Sequence, residues 1–194
     1  MISKISEHIT SFILKNADKS SEDLREIYRY GIEIFISSFL NIFLILLIGF
    51  FTNTLTESII FLLCFVPLRQ VTGGWHASTY FVCNTVFCIS YILVLLFSFL
   101  FLKIKSIFIA GAFLILGFLP IIMFCPVENP NKKIRNKKKM KALGIILYLV
   151  YSSVCLCLYF LFDKYCFTLL FTLVCVSLAV IAGHILLQKA SKCE

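Results

Sequence analysis

Charged residues are scarce in this chain, and their scarcity excludes a soluble globular domain. Only 14% of the 194 residues are Asp, Glu, Lys or Arg, whereas 60% are hydrophobic. The mean hydropathy is +0.98. Soluble domains are about 25% charged and about 45–50% apolar. The composition therefore predicts an integral membrane protein, in which the bilayer supplies the apolar surroundings.

Close groups of metal ligands are also missing from the sequence. It has no CxxC or HExxH spacing, and a zinc site on His76, Cys83 and Cys88 would find no carboxylate or second histidine nearby. Most of the nine cysteines fall in apolar segments, where a thiol packs as a small hydrophobic group. We therefore expect no metal and no other cofactor.

Long apolar segments predict an all-α, polytopic membrane bundle formed by residues 1–194 as a single domain. A spanning helix needs about 20 apolar residues, and about 17 suffice. Helices are the only sensible spanning form for such segments, because they satisfy their own backbone hydrogen bonds. The second segment is short and contains Pro67, so a tilted, a re-entrant and a broken helix stay open. The six predicted segments are about 30–51, 57–68, 79–102, 107–125, 142–162 and 167–187.

The first 29 residues are more polar, and they predict an interfacial or cytoplasmic N-terminal segment. Their acidic residues and the lack of a compact apolar core argue against a cleavable signal peptide. Apolar side chains nevertheless recur at helical spacing. They predict an amphipathic helix that either lies in the membrane interface or packs on the rest of the protein. These side chains are Ile2, Ile5, Ile9, Phe12 and Ile13.

The distribution of basic residues predicts the orientation in the cell membrane. With six spans and a cytoplasmic N-terminus, 15 of the 18 Lys and Arg residues lie on the cytoplasmic side. Lys103, Lys105 and Lys164 lie on the other side. Cytoplasmic loops of membrane proteins carry an excess of Lys and Arg. The junction between the second and third segments is therefore expected to face the cytoplasm.

That junction, residues 69–83, reads RQVTGGWHASTYFVC and is dense in polar and flexible residues. Polar groups at this depth are costly and are a functional hypothesis by default. Gly73 and Gly74 permit backbone angles that are closed to other residues, so they predict a bend. An ordinary interfacial turn, with a snorkelling arginine and Trp75 as an aromatic anchor, is the structural alternative.

A histidine and a cysteine, His76 and Cys83, stand seven residues apart in this motif. A cysteine attacks as its thiolate, and a neighbouring histidine can take the thiol proton. Residues seven apart on one helix are separated by about 10 Å along its axis, whereas direct hydrogen bonding needs about 3 Å. His76 must therefore fold back from a loop, with Cys83 in the first turns of the next helix. In a chain this rich in cysteine the pair alone would indicate little, but together with the polar and flexible residues around it the pair predicts an intramembrane cysteine peptidase.

The pattern R-Q-x-x-G-G-x-H-A, with Cys seven residues after the His, resembles the accessory gene regulator B family. These proteins are membrane endopeptidases of Gram-positive quorum sensing. The chain length, the polar N-terminus and the loop CPVENPNKKIRNKKKMK add to the resemblance. It implies that His76 and Cys83 are the catalytic pair. The flanking motif matches Arg69, Gln70, Gly73 and Gly74. No third catalytic residue can be mapped, and Glu33 and Gln70 are candidates to orient the histidine.

The resemblance also implies a reaction and its partners. Cys83 would cleave a cognate autoinducer propeptide after the future signal, and the resulting thioester would pass to an internal nucleophile to form a thiolactone or lactone ring. Exclusion of water would protect that thioester from hydrolysis. The substrate's amphipathic helix would meet the enzyme at membrane lipids of the inner leaflet. The family further suggests a homodimer.

A basic cytoplasmic loop is predicted at residues 126–141. Its cations can bind anionic lipid, at about 1 kcal/mol per residue near the surface. They can also dock an acidic peptide tail, or they can serve topology alone. The net charge of +8 lies mostly beside the membrane and no nucleic-acid motif is present, so nucleic acid is not an expected partner. The candidate docking residues are Lys132, Lys133, Arg135, Lys137, Lys138, Lys139 and Lys141.

Two other classes of protein stay open. A small exporter or channel would use the polar motif to line a path through the bundle, and it would not need Cys83. A structural membrane subunit would need neither His76 nor Cys83. Charges inside the membrane are few beyond Glu33, Glu57 and Arg69, which disfavours an ion-coupled transporter.

Overall fold

The computed structural model describes residues 2–16, 22–74, 79–127 and 136–190, and within them the chain forms seven α-helices. The predicted all-α membrane bundle is confirmed. Within these ranges, the backbone also forms a single isolated β-bridge, between Gly73 and Val127. The helices are α1 (Ile2–Asn16), α2 (Glu22–Phe51), α3 (Leu55–Thr72), α4 (Tyr80–Leu102), α5 (Ile107–Phe124), α6 (Lys137–Leu161) and α7 (Asp163–Ala190).

Six of these helices, α2 to α7, are long and apolar enough to cross a membrane, so the chain is a multi-pass membrane protein. The predicted segments match them in number and order. Four of the six helices, α2, α3, α6 and α7, begin earlier than the predicted apolar segments, because polar residues extend their first turns. Thus α6 begins at Lys137 and α7 begins at Asp163.

The second segment forms one unbroken helix of 18 residues, α3, with Pro67 inside it. A proline has no N–H and leaves the carbonyl four residues earlier without its helical partner. Here that carbonyl belongs to Leu63, and the Tyr151 hydroxyl of α6 donates to it at 2.7 Å. A side chain from a neighbouring helix thus replaces the missing bond, as a membrane interior requires.

The last helix, α7, forms the centre of the bundle. Half of its span is buried, compared with 17% of the spans in α2, α4 and α6, and it packs against α3, α4, α5 and α6. Leu170, Leu173, Val176 and Val180 are each fully buried. The outer helices therefore present most of their apolar surface to lipid.

The N-terminal helix α1 packs on α2 through its polar side. Ser6 and Thr10 are fully buried, whereas four apolar side chains of α1 are exposed. The helix thus packs on the protein, one of the two predicted arrangements, and its position in the membrane interface stays a prediction. The exposed apolar residues are Ile5, Ile9, Phe12 and Ile13.

The up-and-down course of the six spans gives the bundle two ends. The motif end holds the α3–α4 junction and the start of α6, and the opposite end holds the α2–α3, α4–α5 and α6–α7 junctions. At the opposite end, Lys105 forms an ion pair with Asp163 and Lys164 forms one with Glu57. Cytoplasmic loops carry the excess of Lys and Arg, so the three lysines predicted on the other side are exceptions to this rule. Two of these three lysines are thus paired with carboxylates.

Candidate active site

The motif end is organised by a tight turn at Gly73 and Gly74, which directly follows α3. Gly73 has a φ of 72° and Gly74 a φ of 126°, in the region that favours glycine. A Cβ atom at residue 73 would lie 2.2 Å from the Val127 carbonyl oxygen. The Val127 N–H in turn donates to the Thr72 carbonyl at 2.9 Å. The turn is therefore pinned against the segment that follows α5.

The same turn holds the side chain of Arg69, from the last turn of α3. Nη1 of Arg69 donates a hydrogen bond to the Gly73 carbonyl oxygen. A Cβ atom at residue 74 would lie 1.6 Å from this nitrogen and 2.8 Å from the Ala179 carbonyl oxygen of α7. The absence of a side chain at Gly74 thus makes room for the guanidinium beside α7.

Cys83 lies in the first turn of α4. The Thr79 side chain caps this helix, because its Oγ1 accepts from the Val82 N–H at 3.3 Å. The Thr79 carbonyl accepts from the Cys83 N–H at 3.1 Å, the first regular bond of the helix. The N-terminal end of a helix favours negative charge, and a thiolate is favoured there. The half-buried thiol of Cys83 therefore occupies a position suited to a nucleophile.

The guanidinium of Arg69 lies close enough to act electrostatically on two thiols, those of Cys83 and Cys175. A cation beside a cysteine favours the thiolate, whereas burial opposes it. Arg69 of α3 thus lies within electrostatic reach of one thiol on α4 and one on α7.

The structure brings together four of the predicted site residues, namely Arg69, Gly73, Gly74 and Cys83. Gln70 is exposed on α3. His76 lies outside the described residues, between Gly74 and Thr79, so its pairing with Cys83 stays a prediction. Within the described ranges, no three His, Cys, Asp or Glu side chains cluster closely enough to hold a metal ion.

Glu33, the other candidate to orient the histidine, lies on α2 and contacts the start of α4. Its Oε2 accepts a hydrogen bond from the Tyr80 hydroxyl at 2.8 Å. Its Oε1 accepts one from the Ser6 hydroxyl of α1 at 3.0 Å. This carboxylate therefore joins three helices near the turn that carries Cys83.

The last part of the predicted basic loop is helical, because Lys137 to Lys141 form the first turns of α6. The Asn136 side chain caps the helix, and its Oδ1 accepts from the Lys139 N–H at 3.1 Å. Lys137, Lys138 and Lys139 are exposed, and Lys141 is half-buried. The other candidate docking residues, Lys132, Lys133 and Arg135, lie outside the described residues.

The N-terminal part of α6, which carries these lysines, packs closely against α3 at the motif end. A Cβ atom at Gly144 of α6 would lie 3.0 Å from the Cys125 sulfur and 3.4 Å from the Thr72 methyl group of α3. Cys125 is buried, and burial raises the pKa of its thiol to about 11, although the nearby Lys141 acts to lower it. Cys125 is thus a packing residue between α3 and α6, as the sequence predicts.

Sequence reasoning missed several contacts that shape this site. Val127 contacts the glycine turn through its backbone. Such a contact cannot be predicted from the residue type, because every residue has the same backbone atoms. The tyrosine partner of Glu33 was missed because the two residues lie 47 positions apart. Ala179, by contrast, belongs to a small-residue pattern with Gly183 that predicts close helix packing, and its carbonyl does face Gly74.

Comparison with known proteins gives a consistent set of relatives. The family model for accessory gene regulator B matches residues 6–183. AgrB-like protein 2 of Clostridium perfringens (strain 13 / Type A) is 30% identical over 149 residues, which cover 73% of this chain and 68% of that protein. An AgrB-like protein of Clostridium beijerinckii is 29% identical over 150 residues, or 75% and 73% of the two chains.

A more distant match extends the set to another genus. Protein FsrB of Enterococcus faecalis (strain ATCC 47077 / OG1RF) is 31% identical over 88 residues. The matched part covers 43% of this chain and 36% of that protein. No solved structure matches the chain.

Proposed function

Because this chain belongs to the accessory gene regulator B family, which processes autoinducer peptides, we propose that it is a membrane-embedded cysteine endopeptidase. Its substrate is a cognate quorum-sensing propeptide, from which it removes the C-terminal tail. The observation that carries the proposal is the setting of Cys83. This thiol lies half-buried in the first turn of α4, within electrostatic reach of Arg69.

The proposed reaction has two acyl transfers. His76 takes the thiol proton, and the Cys83 thiolate attacks the carbonyl carbon of the scissile peptide bond. The C–N bond breaks, the proton passes to the departing amine of the tail, and the peptide stays bound as a thioester. An internal thiol or hydroxyl of the peptide then attacks this thioester. The second step closes a thiolactone or lactone ring and returns the Cys83 thiol.

The basic start of α6 is the proposed docking site for an acidic tail. Among the described residues, Lys138, Lys139 and Lys141 have no carboxylate partner. The N-terminal end of α6 adds a partial positive charge to theirs. These groups lie at the same end of the bundle as Cys83, because Gly144 packs beside Cys125 and Thr72. A peptide can therefore engage both regions at once.

The motif end is proposed to face the cytoplasm, where the propeptide is made. The support is the charge asymmetry of the sequence, whose predicted topology puts 15 of the 18 basic residues on the cytoplasmic side, and the ion pairs of two of the other three. Anionic lipids of the inner leaflet would bind the same cations. A homodimer, which the family suggests, is compatible with this arrangement.

The partners of the intramembrane charges disfavour an exporter or channel. Glu33 bonds to Ser6 and Tyr80, and Glu57 is buried against Lys164. Charges that carry an ion or line a path must exchange partners during transport. These pairs instead join helices to one another, as expected of a scaffold that holds a nucleophile.

The experiment uses full-length protein in liposomes with its cognate propeptide. Cys83→Ala is expected to abolish release of the tail, and Cys83→Ser to keep weak activity at most, because a hydroxyl is a poorer nucleophile. The matched control is Cys88→Ala, five residues further along the same helix, which should cleave normally. Mass spectrometry measures the free tail and the acyl-enzyme. Full cleavage by the Cys83→Ala protein would overturn the proposal.

A further inference from the structure

Two hydrogen bonds join α2 to α4 one helical turn apart. The Tyr80 hydroxyl donates to Glu33 Oε2 at 2.8 Å, and the Ser37 hydroxyl donates to Asn84 Oδ1 at 2.9 Å. Both pairs are 47 residues apart in the chain, so the two parallel helices keep a constant register. Asn84 directly follows Cys83. The turn that carries the thiol is therefore held between two polar contacts.

The Glu33 carboxylate also reaches the helix at the membrane surface. Its second oxygen accepts from Ser6, which is fully buried between α1 and α2. The Ser6 hydroxyl also lies 2.9 Å from the Ser3 carbonyl. Its single proton can serve only one of these acceptors at a time. The contact of Glu33 with Ser6 is therefore exchangeable, whereas Tyr80 gives its proton to Glu33.

Because of where Tyr80 lies, its bond to Glu33 can affect the position of the Cys83 thiol as well as the packing of α2 against α4. Tyr80 is the first residue of α4 and lies three residues before Cys83, so both belong to the same turn. Rotation or fraying of that turn would move the thiol relative to Arg69 of α3. A displacement of about 1 Å in a reacting group can cost about 100-fold in rate. A single bond to a charged group can therefore control reactivity.

We propose that Glu33 is a positioning residue for Cys83. By accepting the Tyr80 hydroxyl, it fixes the first turn of α4, which carries the thiol, and through Ser6 it makes the position of that turn depend on the packing of α1. The inference rests on the proposed function, in which Cys83 is the nucleophile. It assigns Glu33 no contact with substrate.

The test compares Tyr80→Phe, Glu33→Ala and Glu33→Gln with the double variant Glu33→Ala/Tyr80→Phe, all as full-length protein in liposomes. Loss of the bond should lower kcat for tail release about 10- to 100-fold, with KM unchanged because docking is elsewhere. Glu33→Gln keeps an amide oxygen for Tyr80 and should retain more activity than Glu33→Ala. The double variant should match Glu33→Ala alone, because the bond that Tyr80→Phe removes is already lost in that variant.

A second readout needs no propeptide. N-ethylmaleimide alkylates the folded protein, and peptide mass spectrometry gives the ratio of labelling at Cys83 to labelling at Cys88. Tyr80→Phe and Glu33→Ala should lower this ratio at least threefold, because the thiol turns from Arg69. The control is Glu26→Ala, an exposed carboxylate two turns earlier on α2, which should leave both kcat and the ratio unchanged.

The two proposals fail in different ways. If Cys83→Ala still cleaves, the peptidase proposal is wrong, yet the labelling ratio still decides whether Glu33 and Tyr80 position the thiol. If Cys83→Ala is inactive but the labelling ratio and kcat of Tyr80→Phe stay within twofold of wild type, Glu33 is not a positioning residue. Multiplicative losses in the double variant would also overturn the inference, since they show two independent effects.

Discussion

The two ends of the bundle differ in how their positively charged side chains are paired. At the opposite end, Lys164 pairs with the buried carboxylate of Glu57, and Lys105 pairs with Asp163. At the motif end, the Arg69 guanidinium bonds to a backbone carbonyl of the glycine turn. Two of the three lysines at the opposite end thus pair with carboxylates, whereas at the motif end Arg25 pairs with Glu7 but the described Lys138, Lys139 and Lys141 have no carboxylate partner.

This difference separates a structural end from a reactive one. A charge that is paired inside an apolar bundle is held in place, and breaking the pair leaves a costly buried ion. A lysine without a carboxylate partner, such as Lys138 or Lys139, keeps its full charge, which is available to an acidic peptide. Changes at the motif end should therefore affect catalysis, and changes at the opposite end should affect stability.

The largest effect is expected from Gly74→Ala. The added methyl group would overlap the Arg69 side chain, contact the Ala179 carbonyl and hold a strained backbone angle. Displacement of Arg69 should lower tail release at least about 100-fold. The matched control is Gly111→Ala on α5, where nothing lies within 4 Å of the new Cβ atom. Initial rates of cleavage in liposomes measure both, and a Gly74→Ala protein with normal rates would break the comparison.

The next effect concerns docking at the start of α6. Reversing Lys137, Lys138 and Lys139 to Glu should raise KM for the propeptide at least about 100-fold, at about 1 kcal/mol for each of the three lost cations. The value of kcat should change little, which is the mark of lost ground-state binding. The effect should shrink at high salt, because exposed charges are screened beyond about 8–10 Å.

A charge reversal at the other end is the control for this prediction. Lys103→Glu changes an exposed cation there and should leave KM unchanged at both salt levels. If the triple variant keeps normal kinetics, the lysines serve topology alone. A loss confined to kcat and insensitive to salt would instead indicate a disturbed active site.

The smallest effects on catalysis are expected at the ion pairs. Lys164→Gln leaves the carboxylate of Glu57 buried without its cation and should cost about 1–3 kcal/mol in the free energy of unfolding, because the lysine itself is half exposed. The double variant with Glu57→Gln should regain most of this loss. Lys105→Gln, from a more exposed pair, should cost less than about 1 kcal/mol.

Unfolding in detergent micelles measures these costs, and cleavage assays on the folded fraction check that kcat is unchanged. A fall in kcat with Lys164→Gln, at normal stability, would contradict the division between the two ends.

Much of the fold follows from local sequence signals. The lengths of the apolar segments predict the spans, since a bilayer of given thickness demands them. The sequence could not decide whether α3 is tilted, re-entrant or broken. The hydrogen bond that replaces the one lost at Pro67 comes from the Tyr151 hydroxyl of another helix. The helical state of Lys137 to Lys141 was missed for a local reason, since Asn136 is a cap that a run of lysines obscures.

The sequence by itself determined that this protein lies in a membrane, that a bend follows α3, and that Cys83 lies in the first turns of the next helix. These features depend on composition and on residues close together in the chain. Only the tertiary structure decided that the turn packs against Val127 and Ala179, that Arg69 bonds to the carbonyl of Gly73, and that Glu33 bonds to Tyr80. Most of these contacts join helices far apart in sequence, and several use backbone atoms, which are the same in every residue.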